Sequence, residues 1–243
     1  MKKVFIKQQG GLGDILFAQK IAHSFKNSGY QVMWPVFDSF ADISKNIPYF
    51  QIYGISEDFP YKEEFLKVKD GDKTIHHIEE LDLYIVPIDS SGDGEDIMRT
   101  KYRLVNLDCN DWQDYLRFER NHEKEQKLFY DVLGLRDDEP YTFTMKYIGS
   151  QPHHTTHIDL KFETDNRIVY LDFYDGYNLF DWCKVLENAD EIYIEGSAIM
   201  YIAEVLNLKA KKLVLFSRDG HRHFDGILKK PWTLDKASVN IRK

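Results

Sequence analysis

The chain has 243 residues, 43% hydrophobic and 30% charged, which is the composition of a globular protein and not of a disordered one. A formal net charge of -8, with the acidic residues scattered, argues against nonspecific binding to nucleic acid. No stretch approaches the ~18 apolar residues of a membrane span, and the seven residues before the first polar turn are too few for the apolar core of a signal peptide.

The first strand is predicted at residues 3–7, around Val4-Phe5-Ile6. Gly10-Gly11-Leu12-Gly13-Asp14 follows and opens a helix at 14–26, with Ile15, Ala18, Ile21, Ala22 and Phe25 at helical spacing. Asn27-Ser28-Gly29 has the composition of a C-cap, and a second strand is predicted at 31–34, stopped by Pro35. This is a βαβ unit, whose glycines let backbone approach a ligand at the carboxyl edge of a sheet. A short helix is expected within 37–45. Residues 47–80 read as irregular, with short strands at 51–53 and 73–78, and 81–88 reads as a strand before a Gly-rich loop at 89–95.

Residues 112–118 are ambiguous between helix and strand. A helix at 121–133 is closed by Gly134, with Leu128, Phe129, Val132 and Leu133 as its apolar stripe. A strand is expected at 141–147, then a His-rich loop or linker at 149–157. Strands at 167–173, 191–194 and 212–216 alternate with helices at 179–188 and 198–206, the pattern of a mostly parallel sheet covered on both faces. The expected organisation is an N-terminal Rossmann-like domain at 1–120, a bridging helix within 121–140 and a C-terminal domain at 141–243. At ~30 residues per βαβ unit, the second half has room for about three such strands. The cysteines, Cys109 and Cys183, lie far apart without metal-site spacing and read as reduced thiols, as expected of a cytoplasmic protein.

Three segments together resemble a known family. Gly11-Leu12-Gly13-Asp14-Ile15-Leu16 resembles the N-terminal motif of the ADP-heptose:lipopolysaccharide heptosyltransferases. Residues 123–135, ending Asp131-Val132-Leu133-Gly134-Leu135, look like the linker helix of that family. Leu186-Glu187-Asn188-Ala189-Asp190-Glu191-Ile192-Tyr193-Ile194-Glu195-Gly196-Ser197, running on to Phe216, is similar to its C-terminal strand–loop–helix–strand and to that of GT-B glycosyltransferases generally. The glycine turn resembles more loosely the Gly-Gly-Leu-Gly-Asn turn of GDP-fucose-dependent fucosyltransferases, and Asp14 in place of that Asn favours the heptosyltransferase-like reading.

The resemblance implies an α/β protein of two Rossmann-like halves facing a central cleft. It implies a nucleotide-sugar donor on the C-terminal half, a glycan or glycolipid acceptor on the N-terminal half, and inversion in one displacement. No cofactor and no metal are then required. Two departures stand out. The family's acidic-Ser/Thr-Gly turn is here Glu195-Gly196-Ser197, and Met200 stands about where the family carries a His. They leave open a donor other than ADP-heptose, a binding protein that kept only a nucleotide-sugar pocket or its shape, and a nucleotide-sugar epimerase.

A sugar hydroxyl is a poor nucleophile, and Asp14 is the expected base that takes its proton. The competing reading of Asp14 is a helix N-cap. Gly10, Gly11, Leu12 and Gly13 would shape the acceptor side. An NAD fold fits poorly, because position 16 is Leu16 rather than glycine and no acidic residue ends the second strand before Asp38. Amides of Ser197, Ala198 and Ile199 at a helix start suit a diphosphate, with the Ser197 hydroxyl as donor and Glu195 accepting from a sugar or ribose hydroxyl. Gly196 holds the donor with them; the competing reading of Glu195-Gly196-Ser197 is a capped turn between core elements. Arg218, Arg222 and His223, with His221, form a cationic group that would stabilise a departing diphosphate, or else a solvated surface turn. Tyr174, past the strand at 167–173, could stack on a base or sugar ring beside Tyr177 and Trp182, or simply pack in the core. Asp89–Gly94 copies half a calcium loop but has Thr100 where a bidentate Glu is needed, and His153-His154-Thr155-Thr156-His157 reads as linker.

Overall fold

The structure is a computed structural model that describes residues 1–89, 97–148, 156–217, 224, 226–235 and 240–242. The chain divides into two compact units, Met1–Glu119 and Arg120–Lys243.

In the first unit a five-stranded sheet contains β1 (Lys3–Lys7), β2 (Gln31–Val36), β3 (Gln51–Gly54), β4 (His76–Ile78) and β5 (Leu83–Pro87), in the order β3-β2-β1-β5-β4. All pairs are parallel except β4 with β5. Val4, Phe5 and Ile6 of the central strand are fully buried, as a strand covered on both faces requires. The first helix is split. Helix α1 (Leu12–Phe17) and helix α2 (Gln19–Asn27) meet at Ala18, whose carbonyl accepts from Ile21 N at 3.0 Å in a tightened turn.

The segment read as irregular contains the helix α4 (Lys62–Lys67), preceded by the short α3 (Asp38–Ala41) after β2. Phe65 of α4 packs edge-to-face on Phe5 at 5.2 Å and on Phe59 at 5.9 Å, each such pair adding about 0.5–1.5 kcal/mol beyond its buried area. Helix α5 (Ile97–Arg103) follows β5, and Trp112–Tyr115 is a single 3-10 turn against α2. The Tyr102 ring lies 5.0 Å from Phe17, and its hydroxyl donates to Phe17 O at 2.5 Å.

The second unit opens with α6 (His122–Lys127). Asn121 caps it by accepting from Lys124 N at 3.0 Å. The last turn, Leu128–Val132, is π-helical, and Gly134 follows at φ 59°. The sheet of this unit contains β6 (Tyr141–Met145), β9 (Arg167–Leu171), β10 (Glu191–Glu195), β11 (Lys212–Phe216) and β12 (Thr233–Asp235), in the order β12-β11-β10-β6-β9. All its pairs are parallel. Five strands fit where about three were expected, because the connections are short. The helices α7 (Cys183–Asn188) and α8 (Ala198–Val205) have six and eight residues, and β12 has three.

The strand expected at 141–147 is broken at Lys146. There β7 (Tyr147–Ile148) turns into a small antiparallel sheet with β8 (Thr156–Asp159) and β13 (Asn240–Arg242). Thr156 and His157, expected in a linker, are strand residues of β8. Arg120 ties α6 to α7: its guanidinium donates to Glu125 at 2.8 and 2.5 Å and to Glu187 at 2.8 and 2.7 Å. Both cysteines are free and buried, and burial pushes the Cys183 thiol well above its ordinary range. No helix among the described residues is long and apolar enough to cross a membrane.

Candidate functional site

In each sheet the chain progresses to one side of a central strand and then to the other. In the first unit this reversal lies between β1 and β5, in the second between β6 and β10. The carboxyl ends flanking such a reversal form the ligand crevice of open α/β sheets.

In the first unit, the glycine turn lies at that edge. Gly11, at φ 75° and ψ 97°, occupies the cap position of α1, so the cap is not Asp14. Asp14 is the third residue of the helix, with its side chain 32% exposed. Its Oδ1 pairs with Lys101 Nζ at 3.1 Å. Lys101, from α5, is 2% exposed and also donates to Gln8 Oε1 at 2.6 Å and Ile88 O at 3.0 Å. Gln8 Nε2 donates to Gly10 O at 2.6 Å, which holds the turn, and Trp34 Nε1 donates to Gln8 O at 3.0 Å. A Cβ on Gly10 would meet Phe37 Cε2 at 2.7 Å, so the ring of Phe37 fixes the outer face of the turn. Leu12 and Gly13 form the first residues of α1 and are half-buried.

Beside this group, the buried Lys7 pairs with Asp70 at 2.8 Å and lies over the Phe65 ring. Asp89, past the end of β5, accepts from Gly71 N at 3.3 Å, and burial raises its carboxyl above the usual range, with the Asp70 charge adding to the effect. Asp38 is engaged locally: its Oδ1 accepts from Ser56 N at 3.0 Å, which lowers its carboxyl pKa. Leu16 is fully buried in the core.

In the second unit, Glu195 ends β10 and is 2% exposed, with its amide 3.3 Å from Met145 Sδ. Gly196 N donates to Phe216 O at 3.2 Å. Ser197 caps α8 by position, at φ -142° and ψ -174°, without a side-chain cap bond, and its Oγ lies 4.0 Å from Met145 Sδ. Ala198, the first residue of α8, is half-buried. The Phe224 ring is seated directly over Gly196, in the space a Cβ would need. Met200 is fully buried, so its side chain packs in the core. Tyr174 is half-buried with its ring 6.0 Å from that of the buried Trp182.

Arg218, Arg222 and His223, with His221, lie outside the described residues, as do His153, His154 and residues 90–96 of the calcium-like turn. His157 packs edge-on against Tyr147 at 4.5 Å. Among the described residues no group of three or more His, Cys, Asp or Glu side chains is placed to hold a metal ion.

Thus Asp14, Gly10, Gly11, Leu12 and Gly13 share one edge, and Glu195, Gly196, Ser197 and Ala198 share another. Lys101, Gln8, Lys7 and Phe224 were not anticipated. Lys101 carries no sequence signal, since a lysine between Thr100 and Tyr102 on an amphipathic turn reads as solvated.

No family model and no curated protein matches the chain. Solved structures do. A glycosyl transferase family 9 structure from Veillonella parvula DSM 2008 superposes with TM-score 0.58 at 10% identity, covering 96% of this chain and 86% of that one. The iron-containing dodecameric glycosyltransferase TibC of enterotoxigenic E. coli H10407 gives 0.54 at 10% identity, covering 98% and 63%. The ADP-heptose LPS heptosyltransferase II of E. coli gives 0.53 at 11% identity, covering 97% and 90%. The chain therefore has the fold of family 9 glycosyltransferases and of an ADP-heptose heptosyltransferase.

Proposed function

We propose that the protein is a glycosyltransferase. It moves a sugar from a nucleotide-diphosphate donor to a hydroxyl of a glycan or glycolipid, in one displacement with inversion and without a metal ion. The observation that carries this reading is Asp14. On a fold shared with sugar transferases, its carboxylate stands at the carboxyl edge of the sheet, partly open to solvent and anchored on one oxygen by a buried lysine. Asp14 acts as the base toward the acceptor hydroxyl, and the glycine turn lets the acceptor approach it.

The donor belongs to the second unit. The amides at the start of α8 and the Ser197 hydroxyl suit a diphosphate, and Glu195 suits a ribose or sugar hydroxyl. Arg218, Arg222 and His223 supply positive charge for the departing diphosphate, and Tyr174 is a half-buried ring for a base or sugar.

The test is transfer measured with a panel of nucleotide sugars and glycan acceptors, wild type against Asp14→Asn. A fall in kcat of about 10²–10⁴-fold is expected for loss of a general base; retention of full activity by Asp14→Asn refutes the assignment. A second reading, a nucleotide-sugar or partner-binding protein without turnover, is favoured by one observation. The Phe224 ring covers Gly196, where the diphosphate would approach. Binding of a nucleotide sugar without transfer to any acceptor decides for that reading.

A further inference from the structure

Lys101 is among the largest fully buried side chains of the protein, and it carries a charge. A buried ammonium is tolerated only with a carboxylate and full hydrogen bonding. Nζ donates to Gln8 Oε1 at 2.6 Å and to Ile88 O at 3.0 Å, and its charge is paired with Asp14 Oδ1 at 3.1 Å. These partners come from the ends of β1 and β5 and from α1, so one side chain gathers the three pieces of backbone that form this edge. Gln8 extends the network, since its amide oxygen is taken by Lys101 and its amide nitrogen by Gly10 O at 2.6 Å.

The two oxygens of Asp14 are therefore not equivalent. Oδ1 is taken by Lys101, while Oδ2 lies against the bare Cα of Gly11. We propose that Lys101 is a positioning residue, which pins Oδ1 so that Oδ2 alone receives the acceptor's proton. The inference rests on the glycosyltransferase reading above. In the step it serves, the acceptor O–H bond breaks and its proton passes to Oδ2. The acceptor oxygen bonds to the anomeric carbon as the bond from that carbon to the diphosphate oxygen breaks, and the electron pair leaves on the diphosphate. Lys101 is held by Gln8 and Ile88 and pairs its charge with Oδ1, so the lysine holds the base in place.

The experiment compares wild type with Lys101→Met, checked for folding by near-UV circular dichroism. Lys101→Gln, one atom shorter and uncharged but still an N–H donor, replaces it if the methionine variant does not fold. A misaimed base lowers kcat by about 10–100-fold with acceptor KM changed little. In Lys101→Ala, which removes the side chain's volume, added ethylammonium restores part of the loss, and it does not rescue Asp14→Asn. Retention of kcat within about twofold overturns the inference while leaving Asp14 as base.

If wild type transfers no sugar from any donor, the functional reading has failed, and the crystal structures of wild type and the Lys101 variant still decide the positioning. A carboxylate of Asp14 turned away from Gln8 supports it. A carboxylate unmoved without the ammonium overturns it.

Discussion

The carboxylate of Asp14 stands where a side chain on Gly11 would have to go: a Cβ built there collides with Oδ2 and comes within 3.1 Å of the carboxyl carbon. The glycine is required twice over, by its φ of 75° and by this contact.

Gly11→Ala should therefore do two kinds of harm. Positive φ alone costs roughly 1 kcal/mol or more, and the collision displaces the carboxylate. Gly29→Ala is the control, at φ 84° with nothing within 4 Å. Both variants should melt earlier, but only Gly11→Ala should lose transfer. Equal activity in the two would show that the contact does not matter to Asp14.

Phe224→Ala should open the Gly196 turn. If the ring occupies the approach of a diphosphate, calorimetry with nucleoside diphosphates should show tighter binding, by several-fold, in the variant. An unchanged Kd would mean that Phe224 only packs the turn.

Arg120→Met should be costly. Glu125, 1% exposed, would be left in the protein without the guanidinium that neutralises it. Breaking a buried pair costs about 3–5 kcal/mol, and the partial exposure of Arg120 and Glu187 puts the expected loss near 3. Urea unfolding measures it; a loss under about 1 kcal/mol would show that the network is solvated in solution.

Stability should fall with acidification through His23. Burial first, then the charges of Lys26 and Arg117, hold its pKa below the ordinary 6.5. Its Nε2 is buried and meets no hydrogen-bond partner among the described residues, and its ring packs edge-on to Phe50 at 4.8 Å. The unfolded chain thus binds the proton more readily, and its contribution to stability, complete above pH 6.5, is lost as pH falls through the folded value. Urea midpoints between pH 7 and pH 5 should drop less in His23→Phe, which keeps a ring and does not titrate. Parallel pH curves would assign the dependence elsewhere.

The first βαβ unit was legible because its signals are local: an apolar run, glycines, then an apolar helical stripe. The same holds for β10, α8 and β11, whose apolar runs are long enough to declare themselves. The break at Ala18 was not legible, since nothing in the stripe from Ile15 to Phe25 marks a change of pitch. Helix α4 was hidden because its six residues, Lys62–Lys67, bury chiefly Phe65. The strands β12 and β13 have three residues each and take their identity from partners, β11 and β8, rather than from their own pattern. At the candidate site, the glycine turn stands out by its spacing, and Asp14 drew notice as a base through the family resemblance, since spacing alone favours a helix N-cap. Lys101 could not be picked out, because what sets it apart is burial by distant strands.

Electrically, the ion pair of Asp14 and Lys101 acts as a unit. Taken together the two side chains carry no net charge, so the edge presents a dipole whose field dies away much faster with distance than that of a lone carboxylate. A sugar hydroxyl, itself neutral, would neither be drawn in nor repelled from afar and would feel the pair only on contact. Ionic strength, which screens exposed charges beyond ~8 Å at physiological salt, should leave acceptor capture at this edge nearly unchanged while weakening capture of the anionic nucleotide donor.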